Sequence, residues 1–330
     1  MKKKLKIIAE VAQGYEGNSY LASLFCKGFI KTNADIIKFQ LVFADELSTK
    51  NYQYYNFYKK LQMATSEWQK IVNQIHSHRK KIFFDIYGNK SLNIAFKIKA
   101  DGVKISTADF YNYQLIKKSL NIFESVILTI SGQKIEDIKK LIDKVDKEKK
   151  LILMYGFQSE PTKIIDNNLN KIKILQNTFP DHTIAFMDHT KGDSEFAFFI
   201  PMIAIGTGAD IIEKHITFDQ TLEIEDFISA LNFDRFKKFV NDINKGYKSL
   251  GNKNFSISSK EKKYQLKSTK ILVAKKNLKK NIIINENDID FKRVKTLNKN
   301  NTFFDSNFLI GKKLLKNKKK DSEFFKSDFK

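Results

Sequence analysis

Eight short runs rich in β-branched and aromatic residues alternate with amphipathic segments between residue 6 and about residue 250. In the segment after the first run, Leu21, Leu24, Phe25 and Phe29 recur at the spacing of one helix face. Eight strand–helix units of this size are the pattern of a parallel (β/α)₈ barrel. The predicted strands are residues 6–12, 36–42, 81–87, 102–106, 125–131, 151–157, 183–189 and 210–216.

A doubly wound sheet would also alternate strands and helices, but no Gly-rich dinucleotide fingerprint follows the first strand. We therefore predict that residues 1–250 form a TIM barrel. Residues 251–268 are polar and lack a clear period, which predicts a linker. Residues 269–330 change to short strands and lysine-rich turns, which predicts a small C-terminal β-rich domain.

The predicted C-terminal domain contains an internal repeat. Residues 277–289 read NLKKNIIINENDI and residues 317–329 read NKKKDSEFFKSDF, so that asparagine, two lysines and a later aspartate recur at matching offsets. Two related halves predict a compact domain with pseudo-twofold symmetry, although lysine-rich turns also resemble one another by chance.

The net charge of +22 suggests an anionic partner, but its composition argues against nucleic acid. Only Arg79, Arg235 and Arg293 are arginines, whereas phosphate and base recognition usually uses the bidentate arginine fork. We expect no nucleic-acid partner. A positive field would instead favour a small anionic substrate.

Targeting and redox features predict a cytoplasmic protein with no membrane segment. The first residues, MKKKLKIIAEVAQG, are basic and then apolar, but Glu10 interrupts a stretch that is too short for a signal peptide. No run approaches the about 18 apolar residues of a membrane span. Cys26 is the only cysteine, which excludes an intrachain disulfide and suits a reducing compartment.

Polar residues recur near the carboxyl ends of the predicted strands, where the active sites of barrels lie. A single lysine or glutamate can instead point outward between helices, and a single strand histidine is often structural. Their recurrence on nearly every strand favours one shared site. The residues are Glu10, Lys38, Gln40, Asp85, Lys104, Thr107, Thr129, Ser131, Gln158, Asp188, His189, Lys214 and His215.

His189 and His215 end consecutive strands, so their imidazoles can reach one divalent ion and leave positions open for substrate and water. Such an ion would polarise an aldehyde as a Lewis acid. Glu10 would act on a proton or a water. Ammonium and hydroxyl groups can bind the phosphate and the carboxylate of a small substrate. The candidates for this role are Lys38, Lys104, Thr107 and Thr129. The pattern predicts metal-assisted chemistry on a small anionic substrate, without specifying the reaction.

Seven segments, taken together and in order, resemble the N-acetylneuraminate (sialic acid) synthase family. They are IAEVAQGYEGN (8–18), IIKFQ (36–40), GVKIST (102–107), GFQSEPT (156–162), MDHTKG (187–192), IIEKHIT (211–217) and EDFISAL (225–231). The C-terminal segments LVAKKNLKKNIIINENDIDFKRV (272–294) and LIGKKLL (309–315) are similar to the family's antifreeze-like (SAF) cap. The resemblance therefore extends over nearly the whole chain.

This resemblance implies a metal-dependent condensation of phosphoenolpyruvate with the aldehyde of an N-acyl hexosamine such as N-acetylmannosamine, with release of phosphate. It implies Mn²⁺ or Mg²⁺ on His189 and His215, and Glu10 as the catalytic carboxylate. The implied phosphoenolpyruvate ligands are Lys38, Lys104, Thr107, Thr129 and Gln158, and the implied sugar contacts are Gln40, Asp226 and Arg293. Family members form homodimers in which each cap covers the partner's barrel.

Four departures from the family pattern leave the sugar open. Gly14-Tyr15 replaces Asn-His, Tyr155-Gly156 replaces His-Cys, Met187 replaces a serine, and Arg293 is followed by Val-Lys instead of Pro-Gly. Sialic, legionaminic and pseudaminic acids remain alternatives as products. The alternative function is a non-catalytic sugar- or phosphate-binding barrel, but the presence of the glutamate, both lysines and both histidines argues against it.

Overall fold

The structure is a computed structural model, and it describes residues 5–148, 150–252, 254–295 and 301–329. The chain divides into two compact units, one ending at Gly251 and the other beginning at Asn252. Each unit has its own hydrophobic core.

The first unit is a closed barrel of eight parallel strands, and this confirms the predicted fold class. Each strand pairs with the next along the chain, and β8 closes the barrel by pairing with β1, with Glu10 opposite His215. The strands are β1 (Lys6–Ala12), β2 (Ile36–Gln40), β3 (Lys81–Ile86), β4 (Gly102–Ile105), β5 (Val126–Thr129), β6 (Leu151–Tyr155), β7 (Thr183–Asp188) and β8 (Ile211–Thr217).

Helices follow the strands and pack on the outside of the barrel. The first is capped by Asn18, whose side chain accepts hydrogen bonds from the backbone N–H groups of Tyr20 and Leu21. The helices are α1 (Ser19–Ile30), α2 (Ala44–Leu47), α3 (Tyr55–Lys60), α4 (Thr65–His76), α5 (Asn89–Lys97), α6 (Tyr113–Ile122), α7 (Ile135–Val145), α8 (Asn170–Thr178), α9 (Phe196–Thr207) and α10 (Phe233–Ser249). A short strand, β9 (Leu231–Asn232), precedes α10 and pairs with β8.

Strand side chains alternate between two apolar clusters. Ile7, Ala9 and Phe84 face outward and pack with helix residues such as Phe25 and Phe236. The residues that face inward form a separate cluster in the barrel interior, made of Ile8, Ile36, Phe83, Ile127, Met154, Ala185, Met187 and Ile211. Burial of each large apolar side chain contributes about 1.5–3 kcal/mol, so both clusters stabilise the barrel.

A charged layer lies above the apolar floor of the barrel. Because side chains alternate along a strand, the residue two positions further faces the same interior, closer to the carboxyl ends. Those positions carry Glu10 after Ile8, Lys38 after Ile36, Asp85 after Phe83 and Glu213 after Ile211. The strand register therefore places ionisable groups at the end of the barrel where the loops can complete a site.

The second unit contains α11 (Ser259–Ser268) and the antiparallel pair β10 (Ile271–Ala274) and β11 (Ile289–Lys292). Residues 259–268 of the predicted linker form the helix α11, which the sequence did not predict. Ser258 and Glu261 form a capping box at its start, but the helix buries none of its side chains. It therefore has no apolar face that would give the sequence a helical period.

The internal repeat is present in the fold of the second unit. Lys280 N donates to Asn317 Oδ1 at 2.7 Å, and the equivalent Lys320 N donates to Asn277 Oδ1 at 2.8 Å. Leu278 and Lys318 exchange backbone hydrogen bonds across the same axis. The equivalent aspartates Asp288 and Asp328 are both buried and both close a short 3₁₀ turn. Among the described residues of both units, no helix is long and apolar enough to cross a membrane.

Candidate active site

Five ionisable side chains meet inside the barrel, and we call them the charged cluster: Glu10, Lys38, Asp85, Lys104 and Glu213. The Lys38 ammonium contacts the Glu10 carboxylate and lies 2.7 Å from Asp85 Oδ1 and 3.6 Å from Glu213 Oε2. The Lys104 ammonium lies 2.6 Å from Glu213 Oε1 and 4.0 Å from Asp85 Oδ2. All five residues are buried. The two lysines therefore hold three carboxylates from β1, β3 and β8 together.

The protonation of the charged cluster follows from its burial. Burial raises the pKa of Glu10 to about 8, against the opposing charge of Lys38. Burial also opposes ionisation of Glu213, but Lys104 and Lys38 outweigh it and lower its pKa. Lys38 keeps its charge because its carboxylate neighbours raise its pKa well above the usual value despite its desolvation.

A cavity of about 150 Å³ lies against this cluster, and we call it the charged cavity. Its lining is Glu10, Gln40, Asp85, Lys104, Gln158, Glu160, His189, Glu213, His215 and Asp226. The cavity brings together residues predicted for catalysis, for metal binding and for both substrates. Lys104 is the only ammonium group in this lining of described residues, whereas five of its side chains are carboxylic acids.

The two predicted metal ligands face each other in this cavity. His189 Nε2 and His215 Nε2 are 3.3 Å apart, and both side chains are buried. Burial lowers the pKa of His215 to about 4 and that of His189 well below its usual range, so both imidazoles are neutral at pH 7 and can donate a lone pair. Two nitrogens that each bind one ion at about 2.1 Å lie about 3–3.5 Å apart, which matches this separation.

An ion bound by His189 and His215 would have open coordination positions. His215 Nδ1 lies 3.7 Å from Asp226 Oδ2, and burial raises the pKa of Asp226 to about 7. Within the described ranges, no cluster of three or more His, Cys, Asp or Glu side chains has a metal-binding arrangement. The donor set therefore fits an ion held by two imidazoles whose other ligands are water or substrate oxygens.

Four residues with a predicted role lie outside the lining of the charged cavity, as do Ser131, Asp188 and Lys214, for which no role was predicted. Lys38 is fully buried behind it, within the charged cluster. The hydroxyls of Thr107 and Thr129 are buried and have no hydrogen-bond partner among the described residues. Arg293 is in the second unit, where its side chain is exposed and its Nε donates to Ser268 O at 3.2 Å.

Three residues in the lining had no predicted role: Asp85, Glu160 and Glu213. Strand parity could have identified Glu213, because His215 can face the interior only if the residue two positions earlier does so too. Lys214, which lies between Glu213 and His215 on β8, points away from the interior. Lys214 instead donates to Asp188 Oδ2 and to Thr190 O, both at 2.7 Å. Glu160 lies in the loop after β6, where no periodicity could have placed it.

The amino-acid sequence matches the NeuB family model over residues 27–255, which is more than half of the chain. This chain belongs to the NeuB family. The match covers β2 to β8 and therefore most strands that contribute to the charged cavity. The predicted family resemblance is thus confirmed.

Curated NeuB relatives and solved structures agree with this assignment. The chain is 27% identical over 317 residues to the N,N'-diacetyllegionaminic acid synthase of Campylobacter jejuni, covering 88% of this chain and 91% of that protein. It is 24% identical over 303 residues to a pseudaminic acid synthase of the same species, covering 87% and 86%. It also resembles the N-acetylneuraminic acid synthetase of Leptospira borgpetersenii, with a TM-score of 0.73 and 26% identity over 79% of this chain and 91% of that one.

Proposed function

We propose that this NeuB-family enzyme condenses phosphoenolpyruvate with the open-chain aldehyde of an N-acyl hexosamine to form a nonulosonic acid. The enol carbon bonds to the aldehyde carbon, water adds to the carbon that bears the phosphate ester, and inorganic phosphate leaves. One observation carries the proposal: two neutral imidazoles, a lysine and a buried glutamic acid line one cavity at the mouth of the barrel. The named synthases among its relatives support it.

The charges around the cavity suggest how an anionic substrate would be held. Lys104 would bind phosphoenolpyruvate, and the unpaired hydroxyls of Thr107 and Thr129 would donate to its oxygens, since buried hydroxyls normally have a partner. Gln158 lines the same cavity and can donate from its amide. Lys38 stands behind the lining, so we propose that it positions the carboxylates instead of contacting phosphoenolpyruvate.

The acidic lining supports a requirement for a divalent cation. His189 and His215 would hold Mn²⁺ or Mg²⁺ through their facing Nε2 atoms. When bound, this ion would supply Lewis-acid polarisation of the aldehyde oxygen. Gln40 and Asp226, which line the same cavity as Glu10 and His215, would orient the sugar. Glu10 holds a proton at neutral pH and would transfer it to or from the reacting groups.

The second unit would complete the enzyme as an antifreeze-like cap. Its pseudo-twofold β-rich fold and its similarity in sequence to that cap support this assignment. We propose a cytoplasmic homodimer in which each cap covers the partner's barrel, so that Arg293 reaches the sugar bound to the other chain. A cover would exclude water from the reacting groups.

Release of phosphate from phosphoenolpyruvate tests this function directly. The purified chain is assayed with Mn²⁺ or Mg²⁺ and with N-acetylmannosamine, N-acetylglucosamine or a 2,4-diacetamido-2,4,6-trideoxyhexose. We expect phosphate release that requires both the metal and one of these sugars, and formation of a 2-keto acid in equal amount. Binding of phosphoenolpyruvate and sugar without any turnover would instead support the non-catalytic barrel.

A further inference from the structure

Three buried polar residues adjoin the two facing histidines in the chain, and the proposed reaction uses none of them. They are Asp188, Thr190 and Lys214, and we call them the Lys214 network. Asp188 and Thr190 lie on either side of His189, and Lys214 precedes His215. None of the three lines the charged cavity, so none can contact a ligand there. Since charged groups are rarely buried without a partner, their contacts with one another show what they do.

The Lys214 network fixes the backbone on both sides of His189. Asp188 Oδ1 accepts hydrogen bonds from Thr190 Oγ1 at 2.6 Å and from Thr190 N at 3.1 Å, so the two residues close a turn around the histidine. Lys214 Nζ donates to Asp188 Oδ2 and to Thr190 O, both at 2.7 Å. One ammonium group on β8 therefore holds both ends of the turn that follows β7.

The carbonyl group in the middle of this turn is held by two other loops. His189 O accepts a hydrogen bond from Ser229 Oγ at 2.8 Å and one from Thr162 N at 2.9 Å. Both Ser229 and Thr162 are buried. The backbone of residues 188–190 is therefore fixed at each residue, and the imidazole of His189 is the part that faces the cavity.

The two imidazoles lack the hydrogen bond that usually orients a metal-binding histidine. Such a histidine normally donates its second ring N–H to a carboxylate, a carbonyl or a water. Among the described residues, Nδ1 of His189 and Nδ1 of His215 are buried and have no hydrogen-bond partner. Asp226 Oδ2, at 3.7 Å from His215 Nδ1, is beyond hydrogen-bond distance. The separation of 3.3 Å between the Nε2 atoms therefore depends on where the backbone places each ring.

The ion pair between Lys214 and Asp188 is not needed to join the two strands. The backbones of β7 and β8 already pair from Ala185 with Ile211 to Asp188 with Lys214. A buried ion pair also adds little net stability, because desolvation of both charges offsets most of their attraction. What this pair adds is a fixed position for the residues beside it, and those residues are the two histidines.

We propose that Lys214 and Asp188 are positioning residues that hold His189 and His215 at the separation required by one divalent ion. This inference rests on the proposed function, since it assumes that the two histidines bind the metal. The network acts through the backbone of the histidines and contacts neither ion nor substrate. Its loss should therefore weaken metal binding even where the chain remains folded.

Binding of Mn²⁺ alone tests the proposal, with two variants that differ in stability. Lys214→Met leaves the Asp188 carboxylate buried without its counter-ion, so it should be less stable than the wild type. Asp188→Asn combined with Lys214→Met buries no unpaired charge and keeps an acceptor for Thr190, so it should be more stable than Lys214→Met. Both variants should bind Mn²⁺ about tenfold or more weakly in equilibrium dialysis. The Mn²⁺ concentration that gives half-maximal phosphate release should rise by the same factor.

Asp146→Asn is the matched control for a general loss of stability. Asp146 is also a buried carboxylate, but it accepts a hydrogen bond from the N–H group of Leu151 at the amino end of β6, far along the strands from the histidines. It should be less stable than the wild type, by urea unfolding, and should keep the wild-type affinity for Mn²⁺.

The outcomes separate this inference from the proposed reaction. Weaker Mn²⁺ binding in both network variants, in a chain that turns over no sugar, would contradict the reaction and support the positioning role. Wild-type Mn²⁺ affinity in the double variant would show that the network serves stability alone, and would overturn the inference even in an active enzyme. An equal loss of affinity in Asp146→Asn, or a wild-type chain that binds no Mn²⁺, would also overturn it.

Discussion

Glu10 differs from Glu213 in the charged cluster, because burial raises the pKa of Glu10 to about 8 whereas Lys104 and Lys38 lower that of Glu213. If its protonated form donates the proton, activity is present below this pKa and is lost as the pH rises through it. We expect kcat/KM for phosphate release to fall above about pH 8. Glu10→Gln should lower kcat by about 10²–10⁴ and remove that dependence. Rates between pH 6 and 10 at saturating metal provide the measurement.

The matched control for this substitution is Glu124→Gln, at an exposed position of the same unit. It should keep the wild-type rate and pH profile. A Glu10→Gln variant that retains the wild-type rate would contradict a catalytic role for Glu10.

The two lysines of the charged cluster should respond differently to removal of their charge. Lys38→Met would leave three buried carboxyl groups with one ammonium group, which should lower the free energy of unfolding by about 3–5 kcal/mol. Lys104→Met removes the ammonium group that lines the charged cavity, so it should weaken phosphoenolpyruvate binding by about 2–5 kcal/mol. Urea unfolding and calorimetric titration measure these effects. If Lys38→Met keeps the wild-type free energy of unfolding but no longer binds phosphoenolpyruvate, Lys38 is a direct ligand of phosphoenolpyruvate. That result would contradict a positioning role for Lys38.

The facing histidines predict a metal requirement that can be tested without turnover. His189→Ala and His215→Ala should each lose bound Mn²⁺, measured by equilibrium dialysis, and should lose phosphate release. Their circular dichroism spectra should match the wild type. His76→Ala removes a partly exposed histidine that pairs with Asp101, and it should keep both properties. Full activity in excess chelator would exclude the metal.

At the level of residues, the sequence predicted most of the charged cavity but not its internal contacts. His189, His215, Glu10 and Lys104 were predictable because strand ends converge at one mouth of a barrel. The position of Lys38 was not, because it depends on which inward side chains reach across the interior to Asp85 and Glu213. Periodicity along one strand does not determine contacts between strands.

At the level of secondary structure elements, alternation of strands and helices was sufficient to predict the barrel. Each strand is buried on both faces, so it reads as an apolar run. Glu10, Lys38 and Asp85 interrupt such runs on the interior face, whereas Lys214 interrupts β8 on the other face. The helix α11 escaped prediction because its stabilising signal is local, a capping box, and it has no apolar face. A helix without buried side chains leaves no period in the sequence.

Asp146, just after α7, and His182, just before β7, form a buried pair that should affect stability. Burial opposes ionisation of Asp146, but hydrogen bonds from His182 and from the N–H groups of Leu151 and Lys150 outweigh it and lower its pKa. A lowered pKa contributes stability above the unfolded-state value of about 3.9, and that contribution is lost as the pH falls through the folded value. Asp146→Asn should lower the free energy of unfolding by about 1–3 kcal/mol at pH 7.

Urea unfolding at pH 7 and at pH 3 checks this prediction. The difference between wild type and Asp146→Asn should shrink at the lower pH, because pH 3 is below the unfolded-state pKa of about 3.9, where the stabilising contribution of the carboxylate begins to be lost. Asp137→Asn is the control, since this α7 carboxylate is partly exposed and its pair with Lys140 is 3.7 Å long. It should change stability by less than about 1 kcal/mol. An equal effect of both substitutions would contradict a special role for the buried pair.

At the level of the whole molecule, the positive charge is concentrated in the second unit. Residues 252–330 contain 22 lysines and arginines against 8 aspartates and glutamates, and so account for most of the net charge of +22. The charged cavity, in contrast, is lined by five carboxylic acids and one lysine. A bound anion would therefore depend on Lys104, and on the proposed metal and the proposed cap. This composition is one reason to test whether a cap acts on a partner's barrel.

Mixed dimers test the proposed arrangement in which each cap covers the other chain's barrel. Arg293→Ala impairs the cap and Glu10→Gln impairs the barrel, so neither homodimer should release phosphate. If the cap acts on the partner's barrel, a mixed dimer has one site with an intact Glu10 and an intact Arg293. Random exchange of equal amounts forms mixed dimers in half of the population, so activity should return to about a quarter of the wild type.

The same mixture distinguishes the alternative arrangement. If each cap covers its own barrel, every site in a mixed dimer lacks either Glu10 or Arg293, and exchange restores no activity. Native mass spectrometry of chains with different tags confirms that exchange has occurred before the assay. A second mixture, Glu10→Gln with His215→Ala, is the control, because both substitutions impair the barrel and no arrangement of caps can combine them. Recovery in the first mixture without recovery in the control would show that a complete site needs residues from two chains.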